Sequence, residues 1–296
     1  MALDYFVVDV FADSPLKGNP LAVVFDTAGL STEKMQAIAR EFNLSETTFV
    51  ERRPAEVERR EGVRVRIFTT MEELNFAGHP TLGSASVLKM QAPEAVMNNT
   101  ITLALNVGPI PVRFSGAGLY GEMTQRDPAF GAELDRADVA RLIGLSTDDL
   151  HPGLTPQVAS TGTAFAIVIL RSVEALGRLH VDQSAATPWL RERGARWFYV
   201  MAPTKKAGTG EPGWRARMQF YGGEDPATGS AAGCAISYLV ARGAAASEEK
   251  IHVRQGVEMG RPSELFLSAK LESSRVTNVL VGGSTVSVAK GQIFQP

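Results

Sequence analysis

A single cysteine, Cys234, stands among 296 residues, and that scarcity excludes more chemistry than any other feature of the chain. One thiol makes no internal disulfide and no cysteine-rich metal site. It also rules out a racemase whose acid and base are two paired thiols. Cys234 lies among small and apolar residues, Ala-Ala-Gly-Cys-Ala-Ile-Ser-Tyr-Leu, and reads as a buried structural thiol rather than a nucleophile. Histidine is also sparse. None of His79, His151, His180 and His252 pairs with another at metal-ligand spacing, and H-E-x-x-H is absent, so no metal site is expected. The formal net charge is only −2, which argues against a nucleic-acid or anionic-membrane partner. No run of about 18 apolar residues occurs, so no membrane-spanning helix is expected. The first residues, Met1-Ala2-Leu3-Asp4-Tyr5, lack the basic and apolar regions of a signal peptide, and the expectation is a cytoplasmic protein. Low-complexity segments and flexible linkers are lacking too. The length suits one large or two medium domains.

What is present is organised around Glu224-Asp225-Pro226-Ala227-Thr228-Gly229-Ser230-Ala231-Ala232-Gly233. The proline forces Asp225 into an extended conformation and suits the first position of a helix. Gly229 and Ser230 then offer backbone amides with little side chain in the way, the layout of a helix N-terminus that receives an anion. The same layout occurs earlier. His79-Pro80-Thr81-Leu82-Gly83-Ser84-Ala85 matches the segment from Asp225 to Ala231 at four of seven positions, 146 residues away and close to half the chain. That offset points to a duplicated chain. The expectation is two lobes, each with a helix whose N-terminus faces a shared cleft, one bringing His79 and the other Asp225.

Along the chain, apolar and β-branched runs predict strands at 5–11, 21–25, 44–50 (entered through Glu46), 63–68, 164–170 and 197–201. A hairpin is expected around Gly108-Pro109. Ser31 or Thr32 caps a helix carrying Met35, Ile38, Ala39 and Phe42 at helical spacing. Further helices are expected at 78–90, 135–143 and 173–179, and a small-residue helix after Asp225 that runs to Gly243. The charged tract 52–60 reads as a solvated loop or hairpin end, and 205–213 as a polar loop. Four strands follow Gly243, near 251–254, 263–267, 276–281 and 285–289. Many short strands with two long buried helices indicate an α+β fold. Gly116-Ala117-Gly118-Leu119-Tyr120-Gly121 matches G-x-G-x-x-G but opens no helix, and no βαβ unit surrounds it. It reads as a turn between strands, not a dinucleotide site.

Each candidate residue has an ordinary reading beside its chemical one. On spacing alone Glu46 is a solvated strand-end carboxylate. His79 alone is equally an ordinary hydrogen-bonding histidine, although a helix N-terminus disfavours its charged form and a neutral imidazole can relay a proton. An isolated Asp-Pro would make Asp225 a helix cap, and its pairing with His79 by internal repeat is what argues for a shared role. Asn19, in Gly18-Asn19-Pro20, reads first as a turn residue and second as a ligand contact. Ser230 lacks a G-x-S-x-G elbow and suits a carboxylate contact better than nucleophilic attack.

At these residues the chain resembles the phenazine-biosynthesis isomerase (PhzF-like) family, within the diaminopimelate-epimerase-like fold. The resemblance rests on Val8-Asp9-Val10-Phe11, Gly18-Asn19-Pro20, Asn43-Leu44-Ser45-Glu46-Thr47, Phe76-Ala77-Gly78-His79-Pro80-Thr81, the Glu224–Ala231 segment, and Arg254-Gln255-Gly256-Val257-Glu258-Met259-Gly260-Arg261-Pro262. It departs at Thr69-Thr70, where the family commonly has Thr-Pro. It implies two similar lobes, each a β-barrel-like sheet around a central helix. The N-terminal lobe would span 1–117 and the C-terminal lobe 118–282, with a strand at about 283–296 returning to the first. It implies a homodimer, no metal or organic cofactor, and a small-molecule carboxylate substrate. It further implies Glu46 as principal acid/base, assisted by His79 and Asp225, with Gly78, Gly229 and Ser230 holding the substrate. The expected reaction moves a proton between carbons of a small cyclic carboxylate, as in the isomerisation of trans-2,3-dihydro-3-hydroxyanthranilate. A free glutamate, with a pKa of about 4.3, is a weak base towards carbon; lobe closure would desolvate it and raise its proton affinity. A carboxylate-binding protein of the same fold without turnover is the alternative.

Overall fold

Residues 2–116, 118–205, 212–220 and 223–294 are described by a computed structural model of the chain. The chain divides into two units, Met1–Thr124 with Gly282–Pro296, and Gln125–Val281.

The first unit contains β1 (Ala2–Val10), β2 (Asn19–Val24), α1 (Thr32–Phe42), β3 (Glu46–Glu51), α2 (Ala55–Glu61), β4 (Val63–Phe68), β5 (Glu73–Leu74), α3 (Gly78–Gln91), β6 (Thr100–Leu105), β7 (Gly108–Phe114) and β8 (Tyr120–Thr124), with apolar and polar residues alternating along β4 and β6. The strands follow the order β1-β2-β3-β4-β6-β7-β8, with β2–β3 and β4–β6 parallel. The chain's last strand neighbours β8 and pairs with β1 in antiparallel fashion, Val10 opposite Thr285 and Ala2 opposite Phe294, so eight strands close a barrel. A barrel of that size leaves room for little more than side chains, and α3 fits inside it because its residues are small. It is buried from Gly78 to Leu88. A Cβ on Gly83 would stand 2.6 Å from Leu21 Cδ2 and 2.7 Å from Val10 Cγ2. Outside the barrel, α1 lays Met35 and Ala39 against Leu3, Val24, Phe49 and Phe68. Ser31 caps α1 by accepting from Lys34 N, and Asn43 ends it in the left-handed conformation, φ 52°. That turn delivers the chain to Glu46 at the head of β3.

The second unit contains β9 (Ala129–Glu133), α4 (Arg136–Leu142), β10 (Gln157–Ser160), β11 (Ala164–Ile169), α5 (Val173–Gly177), α6 (Gln183–Glu192), β12 (Trp197–Lys205), β13 (Pro212–Arg217), the short hairpin β14 (Gln219–Phe220) and β15 (Gly223–Glu224), α7 (Gly229–Ala241), β16 (Ile251–Gln255) and β17 (Ser263–Glu272). The final strand, β18 (Arg275–Phe294), starts here and ends in the first unit. The sheet runs β18-β17-β16-β13-β12-β11-β10-β9 and wraps α7, which touches β10, β11 and β17. That helix is buried from Gly229 to Val240. A separate apolar layer joins Val139, Leu142, Leu176 and Leu190 of α4, α5 and α6 to Val168 and Phe198 of the sheet. The architecture is therefore α+β, with a barrel-like sheet around a central helix in each lobe.

Four local expectations are corrected. The tract 52–60 contains α2, a helix without a buried residue, so no apolar stripe announces it. Pro54 precedes it, and Arg52 and Arg53 pair with Glu58 and Glu61 at 3.0 and 2.9 Å. No helix was expected at α6, whose pattern Pro188 interrupts; Asp182 caps it by accepting from Ser184 N and Ala185 N. The two last strands are one strand of 20 residues. Gly282 inside it does not turn the chain: a Cβ there would stand 2.6 Å from Glu122 Cγ and 3.1 Å from Gly121 O, so glycine permits close strand approach. Finally, α7 begins at Gly229, three residues beyond Pro226. In the loop expected at 205–213, residues 206–211 lie outside the described residues, as does Ala117 of the glycine-rich turn.

Candidate active site

In the first lobe the structure brings Asn19, Glu46, Gly78 and His79 together. Asn19 opens β2 after a turn in which the Leu16 N–H donates to buried Asp9 Oδ2 at 2.6 Å. Gly18 in that turn has φ 66°, and a Cβ on it would stand 2.4 Å from Val10 O. Glu46 lies opposite Leu21 in the parallel β2–β3 pair. His79 is the second residue of α3, only 3% exposed, between these two side chains. Asn19 Nδ2 faces His79 Nδ1 at 3.1 Å, and His79 Nε2 stands 3.3 Å from Glu46 Oε2. An amide nitrogen only donates, so Nδ1 accepts and the imidazole proton sits on Nε2, which makes no hydrogen bond among the described residues despite its approach to Glu46. Burial pushes the His79 pKa from 6.5 down to about 3, so the ring is neutral at pH 7. The contact with Glu46 is thus a polar approach between a neutral donor and a carboxylate, not an ion pair.

Two features make the start of α3 suited to an anion. Its N-cap, Ala77, offers no side-chain bond, and the first turn has no acidic residue. The amides of Gly78 and His79 therefore carry the positive end of the helix dipole without a side-chain cap.

The second lobe presents Asp225, Gly229 and Ser230. Asp225 follows β15 and is 8% exposed; its N–H donates to Met218 O at 2.9 Å. Arg217 braces the approach with two bonds to Glu224, at 2.9 and 2.6 Å. α7 then starts at Gly229, and its N-cap Thr228 makes no side-chain capping bond. The Thr228 hydroxyl donates instead to Asp225 Oδ2 at 2.6 Å. Ser230 lies in the first turn of α7, and its hydroxyl forms no hydrogen bond among the described residues. Its repeat counterpart, Ser84, is engaged with Thr48 Oγ1 at 2.8 Å deep in the first lobe. The repeated sequence has thus diverged in use, one serine holding a core together and the other remaining available at a helix start.

Sequence reasoning missed Thr228 and Gln255, which hydrogen-bond the Asp225 carboxylate and its main-chain carbonyl, and Tyr199, which donates to Gln255. The available signal was that Thr228 and Gln255 stand inside the two motifs that carry the family resemblance in the second lobe. Cys234 is buried, its thiol pushed from 9.0 up to about 11 by burial, as a structural role requires. Among the described residues no three His, Cys, Asp or Glu side chains converge as for a metal ion, and no helix is long and apolar enough to cross a membrane. A cavity of about 360 Å³ in the first lobe, lined by Arg52, Glu58, Arg59 and Thr102, contains none of the candidate residues.

Residues 8–291 match the family described as phenazine biosynthesis-like protein. A trans-2,3-dihydro-3-hydroxyanthranilate isomerase of Pseudomonas fluorescens is 37% identical over 98% of this chain and 99% of its own length. A solved structure described as a predicted epimerase from Pseudomonas aeruginosa superposes with a TM-score of 0.81 at 34% identity, covering 99% of both chains. A Bacillus anthracis phenazine biosynthesis protein of the PhzF family shares the fold over the whole length of both chains, with a TM-score of 0.85 at 24% identity.

Proposed function

The chain belongs to the phenazine biosynthesis-like family and is an isomerase of that family, and from this premise we propose that it moves a proton between two carbons of a small cyclic carboxylate. The relatives' reaction makes trans-2,3-dihydro-3-hydroxyanthranilate the first compound to test. The observation that carries the proposal is the neutral His79, held by Asn19 with its Nε2 at 3.3 Å from the Glu46 carboxylate. In this reading Glu46 is the base. It takes a proton from one carbon and returns it to another carbon of the same molecule, so the substrate is isomerised and Glu46 regenerated. His79 donates to whichever oxygen gains negative charge as the carbon loses its proton. Asp225 is the proton-handling group that the second lobe offers. Each lobe has an uncapped helix start suited to a substrate carboxylate, Gly78 in the first and Gly229 with the Ser230 hydroxyl in the second. No step requires a metal or an organic cofactor. A homodimer is the assembly implied by the family resemblance, which sedimentation velocity tests.

The test is an NMR assay in D2O with trans-2,3-dihydro-3-hydroxyanthranilate, wild type beside Glu46→Gln. Conversion in wild type only, with the original hydrogen kept or partly replaced by deuterium at the new C–H position and turnover lowered about 10²–10⁴-fold in the variant, supports the reading. Retained turnover in Glu46→Gln removes Glu46 from the role. No reaction with wild type removes this substrate, and ligand binding without exchange would favour a carboxylate-binding protein.

A further inference from the structure

Resting on the reading of Asp225 as a proton-handling group, we propose that Gln255 is a positioning residue for it: the buried carboxamide fixes the Thr228 hydroxyl as a donor to Asp225 and so holds the carboxylate in one orientation.

Residues 225–228 belong to no helix or strand and need hydrogen-bond partners from elsewhere. The Gln255 side chain, at the end of β16 and 0% exposed, supplies them. Its Nε2 donates to Asp225 O at 2.8 Å and to Thr228 Oγ1 at 2.9 Å. Its Oε1 accepts from Thr228 N at 3.1 Å and from Tyr199 Oη at 3.1 Å. The amide has two N–H donors and two oxygen lone pairs, and all four positions are filled. Its polarity is not a matter of choice. A main-chain carbonyl can only accept and a main-chain N–H can only donate, so Asp225 O and Thr228 N dictate which end is nitrogen. Tyr199 must then donate to Oε1. Burial holds its hydroxyl well above the ordinary tyrosine pKa, which keeps that proton in place.

The consequence falls on Thr228. Its hydroxyl oxygen already accepts from Gln255, and its single hydrogen therefore points to Asp225 Oδ2, 2.6 Å away and within the range of charge-assisted bonds. Gly256 makes the reach possible. It has φ 73°, and a Cβ would stand 2.6 Å from Pro226 O and 2.9 Å from Pro226 Cα. Any side chain at 256 would push β16 away from the segment it orders.

The experiment reads Asp225 directly and by kinetics. The protein is labelled with 13C at aspartate carboxyls, and the Asp225 signal is assigned with Asp225→Asn. Its titration is then compared in wild type, Thr228→Val, Thr228→Ser, Tyr199→Phe and Gln255→Glu. Thr228→Val removes the donor at nearly constant shape, and Gln255→Glu replaces the donating nitrogen by an acceptor. Both are expected to raise the Asp225 midpoint by about one pH unit and to lower kcat about tenfold or more with KM within about threefold of wild type. Thr228→Ser, which keeps the hydroxyl, restores both readouts. An Asp225 midpoint and kcat unchanged in folded Thr228→Val overturn the proposal, and so does a Thr228→Ser variant as impaired as Thr228→Val. If Gln255→Glu fails to fold, Tyr199→Phe, which loosens only one end of the amide, is expected to shift the midpoint in the same direction. Wild-type turnover in Asp225→Asn would refute the role given to Asp225 in the isomerisation, while the carboxyl titration still decides whether Gln255 positions it.

Discussion

His79 is held between an amide donor and a carboxylate: Asn19 Nδ2 is 3.1 Å from Nδ1 and Glu46 Oε2 is 3.3 Å from Nε2. Asn19 sets the tautomer, and the proton thus placed on Nε2 stands near Glu46 without a hydrogen bond among the described residues. This arrangement converts an otherwise unremarkable turn residue into the group that decides what His79 can donate.

Asn19→Asp reverses that control. A carboxylate facing Nδ1 can only accept, so the imidazole proton moves to Nδ1 and Nε2 loses its hydrogen. The expected outcome is a 15N NMR spectrum of the Nδ1–H form and a fall in kcat of about 10–100-fold. An Nε2–H spectrum in the variant would show that something other than Asn19 sets the tautomer.

The burial of His79 also ties stability to pH. The folded-state pKa of about 3 lies below the ordinary 6.5, so the unfolded chain binds the proton first on acidification. The contribution is fully present above about pH 6.5 and is lost as pH falls towards 3, with a slope of at most about 1.4 kcal/mol per pH unit. Urea unfolding of wild type and His79→Asn from pH 7.5 to 4.5 should show a shallower decline in the variant. Parallel curves would mean that the unfolded chain gains no proton relative to the native state at this site.

The two repeated serines should separate binding from folding. Ser230→Ala removes a hydroxyl that makes no internal bond among the described residues. KM is expected to rise about tenfold, the net worth of one hydrogen bond to a charged ligand, with little change in the urea midpoint. Ser84→Ala breaks the 2.8 Å bond to Thr48 instead. It should cost about 1 kcal/mol of stability and leave KM unchanged.

Cys234 should be silent towards thiol reagents in the folded protein. Its thiol is buried and pushed up to about 11, so little thiolate exists at neutral pH and no reagent reaches it. Labelling by iodoacetamide at pH 8 should track the unfolded fraction in urea. Rapid labelling in buffer alone would contradict the packing around α7.

Much of this was readable in one dimension because it depends on local chemistry. Alternation of side chains locates β4, and a Ser31 cap with Met35 and Ala39 on one face locates α1. Small residues at equal offsets mark α3 and α7, which can lie inside their sheets only because a Cβ at a position such as Gly83 has no room. By contrast α2 buries nothing and carries no periodic signal, and Pro188 conceals α6. Gly282 falls in the gap between the strands expected at 276–281 and 285–289, because sequence does not distinguish a glycine needed for positive φ from one needed for close approach.

The amino-acid sequence by itself determined the chemistry on offer: one inert thiol, a glutamate after Asn-Leu-Ser, and a histidine and an aspartate in repeated segments. Only the tertiary structure decided how that chemistry is arranged. Asn19 lies 60 residues from His79, and Gln255 lies 27 residues from Thr228. A side-chain hydrogen bond between such distant positions leaves no period or motif in the chain, because its partners become neighbours only when strands and helices pack. Strand pairing and helix burial thus set the His79 tautomer and directed the Thr228 hydroxyl to Asp225.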